Sequence, residues 1–515
     1  MLIKPKFKKV ILNLRNKDRV LSVIPGAKIL PYKGTDLIVV PHRTHEVKIL
    51  NNIGIKTPYP INEYYDYPMS RGTPFDHQRV TAEFLTMNPR AYCLNDMGTG
   101  KTLSVLWAYD FLRSEGSAHK MLVLSPLSTL EETWGNTLFR HFPHLTFAVL
   151  HGSREKRRAL LADDYDVYII NHDGAKIMEK EIMEKEGLDV VVIDEIAQVG
   201  RNITEKWKAL RNIVKGKPVV WGLTGTPTPN SPEDAWAQCR LVTPDTVPLV
   251  RGKFKDMVMR KFGPFRWVAR EGALDIVHKA MQPSIRYKRD ECIDLPPCMY
   301  DTRSVEMTTE QKQLYQHMLT KLHAEVNGSQ ITAANEAVKV MKLVQIATGV
   351  VYGNDGQAVY SPATSRLRET HDIIEQAGGK VIVFVPFTSA LEAVATYLRK
   401  SFTVDVVHGQ TSKNERDRIF REFQNEDNPR VLVANAGAMA HGLTLTAANT
   451  IVWFAPINSL EIYEQANARM TRPGQKLHQF VVHIEGSPAE RAIYERLQSK
   501  GKMQGLLLKL MEDSV

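Results

Sequence analysis

Two long stretches of the chain share one hydrophobic rhythm. In the first, short apolar runs at Met121–Ser125, Phe147–His151, Val167–Asn171, Val190–Asp194 and Val219–Thr224 alternate with longer segments of helical period. In the second, beginning near Ser365, the runs are Val381–Val385, Val404–Val407, Val431–Ala434, Thr450–Phe454 and Phe480–Ile484. Runs that are apolar at almost every position suit strands buried on both faces, as in a parallel sheet covered by crossover helices. The expected fold class is therefore α/β, with two parallel-sheet domains.

The pattern changes at two places. Before residue 70 the runs are short and β-prone, at Lys8–Leu14, Arg19–Ile24, Lys28–Leu30 and Asp36–Val40. Pro25-Gly26 and Lys33-Gly34 punctuate them as turns, and His45–Asn52 has helical period. Residues 245–300 break the α/β rhythm, and Thr308–Asn327 with Ala333–Ile346 then read as helices. The chain is thus expected in four regions: a small β-rich domain at 1–70, a first sheet domain at 71–245, a basic and helical insert with linker at 246–360, and a second sheet domain at 361–515.

Composition adds a partner. Apolar content of 43% and charged content of 24% are ordinary for a globular protein, but the net charge of +10 favours an acidic partner, nucleic acid first. The basic charge is local. Residues 1–20 carry Lys4, Lys6, Lys8, Lys9, Arg15, Lys17 and Arg19 against Asp18 alone. Lysines of this kind either blunt a sheet edge or contact DNA phosphates. Arg251–Arg270 mixes seven Arg and Lys with Phe254, Phe262, Phe265 and Trp267, as phosphate contact plus base stacking requires; a half-buried helix with a charged outer face has the same composition. No apolar run is long enough to span a bilayer, and no secretion signal opens the chain. The four cysteines form no C-x-x-C pair, which argues against a zinc site and fits a reducing compartment. The expected location is the cytoplasm of a bacterial or phage-infected cell, or the nucleus in a eukaryote.

The chemistry begins at Asn95-Asp96-Met97-Gly98-Thr99-Gly100-Lys101-Thr102, between an apolar run at Ala91–Leu94 and an amphipathic helix at Leu103–Leu112. Strand, glycine-rich turn, Lys-Thr and helix is the build of a phosphate-binding loop. Gly98 and Gly100 let backbone N–H groups approach a polyphosphate, and the helix turns its positive end to the same anion. Lys101 adds a charge near the outer phosphates, and Thr102 offers a hydroxyl to Mg²⁺. The strict G-x-x-x-x-G-K-[ST] pattern is not met, because Asn95 stands at the first Gly. Downstream, the run Leu188–Ile193 releases Asp194-Glu195 at its C-terminal end, where ligands bind in open α/β sheets. Asp194 suits the metal shell, and Glu195 suits the base that orients and deprotonates water. Gln78, ahead of the loop, can read an adenine edge with its two-sided amide. Ser125-Pro126, Asn171-His172 and Thr224-Gly225-Thr226-Pro227 lie at further strand ends.

From about Phe75 to Leu510 these residues resemble a superfamily-two helicase motor of the Swi/Snf type. Residues 96–102 match its first motif. Ser125-Pro126-Leu127 with Trp134, and Leu223–Pro227 with Asn230, are similar to later ones. Ile285–Arg289 followed by Leu295-Pro296-Pro297 resembles the segment that joins its lobes. His408-Gly409, Gly442–Ala448 and Gln465–Gln475 complete the set; in the last, Q-A-x-x-R-x-x-R-x-G-Q keeps its spacing throughout.

The resemblance implies two RecA-like domains, ATP and Mg²⁺ as cofactors, and an ATP-driven DNA translocase or helicase. It implies that Gln78, residues 95–102 and Gly442 bind nucleotide, that Thr102 and Asp194 hold Mg²⁺ partly through water, and that Arg469 and Arg472 act as arginine fingers from one helix face. It implies DNA contact at Ser125, Asn171 and Thr444, and Arg260, Phe265 and Trp267 join them from the basic segment. Asp194-Glu195-Ile196-Ala197 departs from the family's Asp-Glu-Ala-His; the lost imidazole puts in doubt how the ATP site signals to DNA, with Gln198 as a substitute. Small inserts favour a bacterial or phage setting. Pro25-Gly26-Ala27 and Val40-Pro41 are faintly similar to the recognition domain of fork-remodelling, annealing-type helicases. The first reading is a monomer that remodels branched DNA. The others are a duplex translocase that strips bound proteins and an ATP-silent scaffold; an RNA motor stays open, since nothing here reads a 2′-OH.

Overall fold

The computed structural model describes residues 1–70, 73–199, 203–262, 266–292, 296–326, 333–352, 358–360, 363–439, 444–472 and 474–498. The chain divides into two compact units, residues 1–292 and 293–505.

The first unit is built on a seven-stranded sheet. In spatial order its strands are Ser284–Ile285, Arg90–Cys93, Val219–Leu223, Leu188–Ile193, Lys120–Ser125, Val167–Asn171 and Phe147–Val149. Every pairing is parallel. Side chains alternate across such a sheet, so each all-apolar run feeds two cores. Tyr92, Leu122, Leu124, Val191 and Ile193 fill one face; Ala91, Cys93, Val123, Val190 and Val192 fill the other. The five runs expected in this region are all strands, with ends displaced by a residue or two. Ser284–Ile285 is an added edge strand, too short to leave a pattern.

The second unit carries a six-stranded parallel sheet in the order Cys298–Ser304, Gln479–Glu485, Ala448–Trp453, Lys380–Phe384, Val431–Ala434 and Val404–Val407. Its first strand went unforeseen because Cys-Met-Tyr-Asp-Thr-Arg-Ser is almost wholly exposed at the sheet edge. The span 246–360, read as one insert and linker, supplies an edge strand to each sheet, Ser284–Ile285 to the first and Cys298–Ser304 to the second.

Before the first sheet lies a four-stranded antiparallel sheet ordered Leu2–Lys4, Lys9–Leu12, Thr35–Pro41 and Lys28–Tyr32. Val10, Leu12, Ile38 and Val40 face a small core with Leu50 of the helix Thr44–Asn52. The expected strand at Arg19–Ile24 is instead a helical turn, Asp18–Leu21. Val20 and Ile24 are buried four residues apart while Val23 is 40% exposed, which is helical spacing. The chain after this core packs its aromatics on the first sheet domain. Tyr65 donates to Asp110 at 2.7 Å, and the Pro68 carbonyl accepts from Trp107 at 3.0 Å.

The basic stretch 251–270 is helical only over Arg251–Val258; it continues as an antiparallel hairpin, Met259–Phe262 with Arg266–Ala269. No helix among the described residues is long and apolar enough to cross a membrane.

One buried ion pair fastens the second unit. Arg366 and Glu490 have side chains 2% and 0% exposed and lie 2.8 Å apart. Arg366 also donates to the carbonyls of Phe454 and Ile484, while Glu490 accepts from Gly486 N and Ser487 Oγ. Removing one partner leaves an unpaired interior charge, a loss of about 3–5 kcal/mol. Calorimetry of Arg366→Ala should therefore show the transition of residues 293–505 moving down while that of the first unit stays. Arg366→Lys should not restore it, since one ammonium cannot reach all three acceptors.

Candidate active site

Strand Arg90–Cys93 ends in a loop that enters the helix Lys101–Ser114. Gly98 and Gly100 both have φ of +86°, where a Cβ is costly. At Gly100 a Cβ would also lie 2.1 Å from Gln78 Nε2. Gln78 is buried, donates to Thr99 O at 3.0 Å and accepts from Phe75 N at 3.2 Å. His77 Nε2 meets the same Thr99 carbonyl at 2.9 Å. Gln78, expected to read adenine, thus has both ends of its amide on backbone groups and pins the loop.

Lys101 Nζ lies over the loop, donating to Asn95 O at 2.9 Å and Asp96 O at 3.3 Å. Thr99 Oγ1 donates to Asp96 O at 2.8 Å. The Thr102 hydroxyl, in the first helical turn, bonds to no protein group among the described residues and suits a metal ligand. Asn95 and Asp96 were expected to bind nucleotide, but their side chains are engaged by protein. Asn95 accepts from Tyr287 N and donates to Thr81 Oγ1, both at 2.9 Å. Asp96 accepts from Arg286 Nη2 and from Arg289 N. The Thr224–Pro227 turn closes on the loop, with the Cβ position of Gly225 3.6 Å from Met97 Cγ.

Two strands away in the sheet, Leu188–Ile193 ends in Asp194-Glu195. Asp194 Oδ2 accepts from Ser125 Oγ at 3.0 Å and Trp134 Nε1 at 2.9 Å; Oδ1 accepts from Glu195 N at 3.1 Å. Three donors fix the carboxylate and leave lone pairs for a metal-bound water. Glu195 has φ of +47°, a strained conformation for a residue with a side chain. Asp194 and the loop act on one buried thiol. Burial pushes the Cys93 thiol beneath the loop up to about 11, opposed by Lys101 and Arg286 and aided by Asp194.

Ser125, expected at DNA, is fully buried; its hydroxyl donates to Asp194 and lies 2.5 Å from Thr129 Oγ1. Asn171 is half-buried, and its amide oxygen is buried without a hydrogen bond among the described residues. Arg260 is exposed on the hairpin. Trp267 is 37% exposed, with Lys255 Nζ 4.3 Å from its ring centroid, so a cation occupies one face. Phe262 is 59% exposed, whereas Phe254 is core. Phe265 and Gly442 lie outside the described residues. Ala197 is fully buried and Gln198 half-buried.

Arg469 and Arg472 belong to the second unit. The helix Leu460–Asn467 ends before them, so they sit in a turn and not on one helix face as expected. Arg472-Pro473-Gly474 cannot carry a helix onward. Arg469 is buried, and its carbonyl accepts from Leu445 N at 3.0 Å. Arg472 donates to Thr444 Oγ1 at 3.1 Å, so Thr444, expected at DNA, supports an arginine. Trp453 Nε1 holds Asn467 at 2.9 Å, and Tyr463 OH lies 2.7 Å from His483 Nε2.

Sequence reasoning missed three functional neighbours. Trp134 stood out only by motif, Arg286 only as linker, and His172 only as the residue after Asn171. His172 Nε2 lies 3.0 Å from the Asp194 carbonyl.

A family model described as SNF2-related domain matches residues 85–349, and one described as helicase conserved C-terminal domain matches 365–474. Among similar proteins, the putative protein p41 of Acyrthosiphon pisum secondary endosymbiont phage 1 is 26% identical, over 86% of this chain and 100% of that protein. The putative ATP-dependent helicase/translocase YwqA of Bacillus subtilis is 24% identical, over 84% of this chain and 48% of its own length. The ATP-dependent DNA helicase DDM1 of Arabidopsis thaliana is 23% identical, over 80% and 58%. The chain thus spans all of the phage protein but about half of the bacterial and plant ones. Of solved structures, the Sulfolobus solfataricus SWI2/SNF2 ATPase core in complex with dsDNA is 23% identical, covering 86% of this chain and 95% of that one, with a TM-score of 0.41.

Two buried imidazoles give a pH dependence. Burial lowers His172 in the first unit and His483 in the second from 6.5 to about 4. Each stays neutral in the fold at pH values where the unfolded chain takes a proton. Their contribution to stability is complete above pH 6.5 and is lost as pH falls toward 4. Thermal melts from pH 7 to 4 should show this decline, and His172→Asn should flatten it for the first unit. An unchanged slope would mean that the imidazole is not buried as the neutral form.

Proposed function

The chain belongs to the SNF2-related family, whose model spans more than half of its length, and from that premise we propose an ATP-driven DNA translocase that remodels branched DNA. The family and the matched helicase C-terminal model make it an ATPase of the helicase type. One observation supports the chemistry most directly: Lys101 and the Asp194-Glu195 pair stand at strand ends of one parallel sheet, two strands apart, with a glycine loop on the helix N-terminus.

In this reading the loop amides and Lys101 bind the polyphosphate. Thr102 and Asp194 fit Mg²⁺, the first through an uncommitted hydroxyl and the second through a carboxylate fixed by three donors. When bound, the cation would neutralise phosphate charge. Glu195 orients and deprotonates the attacking water. Arg469 and Arg472 are the candidate fingers. DNA is gripped mainly through phosphates, which alone would not tell a fork from plain duplex. The N-terminal sheet is the proposed selector. Register puts Lys4, Lys9 and Lys28 on its face opposite the core, and no acidic side chain shares that face. A phage or bacterial setting and a cytoplasmic location complete the proposal.

Three outcomes test this. Lys101→Ala should weaken nucleotide binding, whereas Glu195→Gln should retain it and trap the ATP state; parental turnover in Glu195→Gln would remove it as the base. Arg469→Ala and Arg472→Ala should each keep most ATP affinity and cut turnover by ~10³-fold. Lys4, Lys9 and Lys28 replaced together by Ala should lower the preference for forked over linear duplex at fixed salt, with ATPase on linear duplex within about two-fold. ATPase and strand displacement on duplex, single-stranded, forked and four-way DNA, and on RNA, decide among the readings. Translocation without fork-dependent displacement would favour the protein-stripping motor, and ATP silence would favour the scaffold.

A further inference from the structure

We propose that Arg286 is a positioning residue for nucleotide binding, acting through the main chain of the phosphate loop; the inference rests on the reading of that loop as a nucleotide site. Edge strand Ser284–Ile285 is fully attached before Arg286 is reached. It pairs in parallel with Tyr92 and Cys93, and the flanking bonds are Tyr92 N to Pro283 O at 3.0 Å and Leu94 N to Ile285 O at 2.8 Å. Sheet assembly therefore does not need residues 286–289.

Those residues are aimed at the loop instead. Arg286 Nη1 donates to Leu94 O at 2.6 Å, and Nη2 pairs with Asp96 Oδ1. Tyr287 N donates to Asn95 Oδ1 at 2.9 Å, Arg289 N to Asp96 Oδ2 at 3.0 Å, and Asp96 N to Tyr287 O at 3.0 Å. Three consecutive loop residues are thus held by three residues of one distant segment. The Arg286 side chain is 4% exposed. A guanidinium is costly to bury unless paired, and here its partners include the first loop carbonyl and the loop carboxylate. A planar fork can hold both at once; a lysine ammonium holds one. The loop's ligand-facing geometry is set before any ligand arrives, which is where a positioning residue acts.

The test uses the full-length protein, with titration of a fluorescent ATP analogue and steady-state ATPase on duplex DNA. Arg286→Ala should raise the analogue Kd and the KM for ATP roughly ten-fold, with kcat at saturating ATP within about three-fold of the parent. Arg286→Lys should fall between. Asp96→Asn should raise Kd about three-fold alone and add nothing in the Arg286→Ala background, because the two act as one unit. An Arg286→Ala protein with parental melting temperature and parental Kd would overturn the proposal. Should Arg286→Ala fail to fold, the near-isosteric Asp96→Asn decides, and a parental Kd there overturns it equally. Lys101→Ala is measured alongside. If it too binds the analogue like the parent, the nucleotide-site reading has failed; if it alone is weakened, only the role of Arg286 has.

Discussion

A loop that grips a polyanion through its amides must dispose of its carbonyls. Each carbonyl left facing the ligand would repel it, and each left buried without a partner would destabilise the fold. This chain meets that constraint at four of the carbonyls. Arg286 takes Leu94 O, Lys101 takes Asn95 O and Asp96 O, and His77 with Gln78 takes Thr99 O. The loop is held from two sides, by the helix that precedes it and by a segment nearly two hundred residues later. Much of the remaining first unit serves this need. The parallel sheet brings the ends of Cys93, Leu223 and Ile193 to one edge, and Ser284–Ile285 extends that edge so that Arg286 can reach back.

The carboxylate pair is organised by the same logic. Asp194 does not stand in solvent awaiting a metal; Ser125, Trp134 and its own neighbour's amide fix it. His172, at the end of a strand two places away in the sheet, reaches the Asp194 carbonyl with a neutral imidazole, whereas the family's motif would carry one at position 197. At the motif position itself stands Ala197, fully buried, so that the small side chain there belongs to the core.

What the sequence made legible was whatever depends on local pattern. Buried parallel strands announce themselves by unbroken apolar runs, and the phosphate loop by Gly98, Gly100, Lys101 and Thr102. Legibility failed where partners are distant. Nothing local marks Ser125 as the support of a carboxylate, or Asn95 and Asp96 as braces whose partners are Tyr287, Arg286 and Arg289. It failed at edges, where Cys298–Ser304 is a strand by pairing and not by composition. It failed also where a short apolar stretch fits two periods. Arg19–Ile24 reads as β by residue type and folds as a turn of helix because Val20 and Ile24 must reach one core. The arginines at 469 and 472 keep motif spacing while the helix ends beneath them.

The pairing of Cys298–Ser304 with Gln479–Glu485 joins the first strand of the second unit to its last along seven residues. Among the described residues, no other strand of that sheet lies beside the entering one. On a ribosome, which delivers the chain from its N-terminus, the entering strand must wait for nearly all of the unit before its hydrogen-bonding edge finds a mate. The unit cannot therefore assemble strand by strand as it emerges; it closes late, around a contact of long loop and high entropic cost. The first unit's sheet has a milder form of the same dependence through Ser284–Ile285. During synthesis the motor thus passes through a period with an unpaired strand exposed, when a nascent-chain chaperone would have the most to protect.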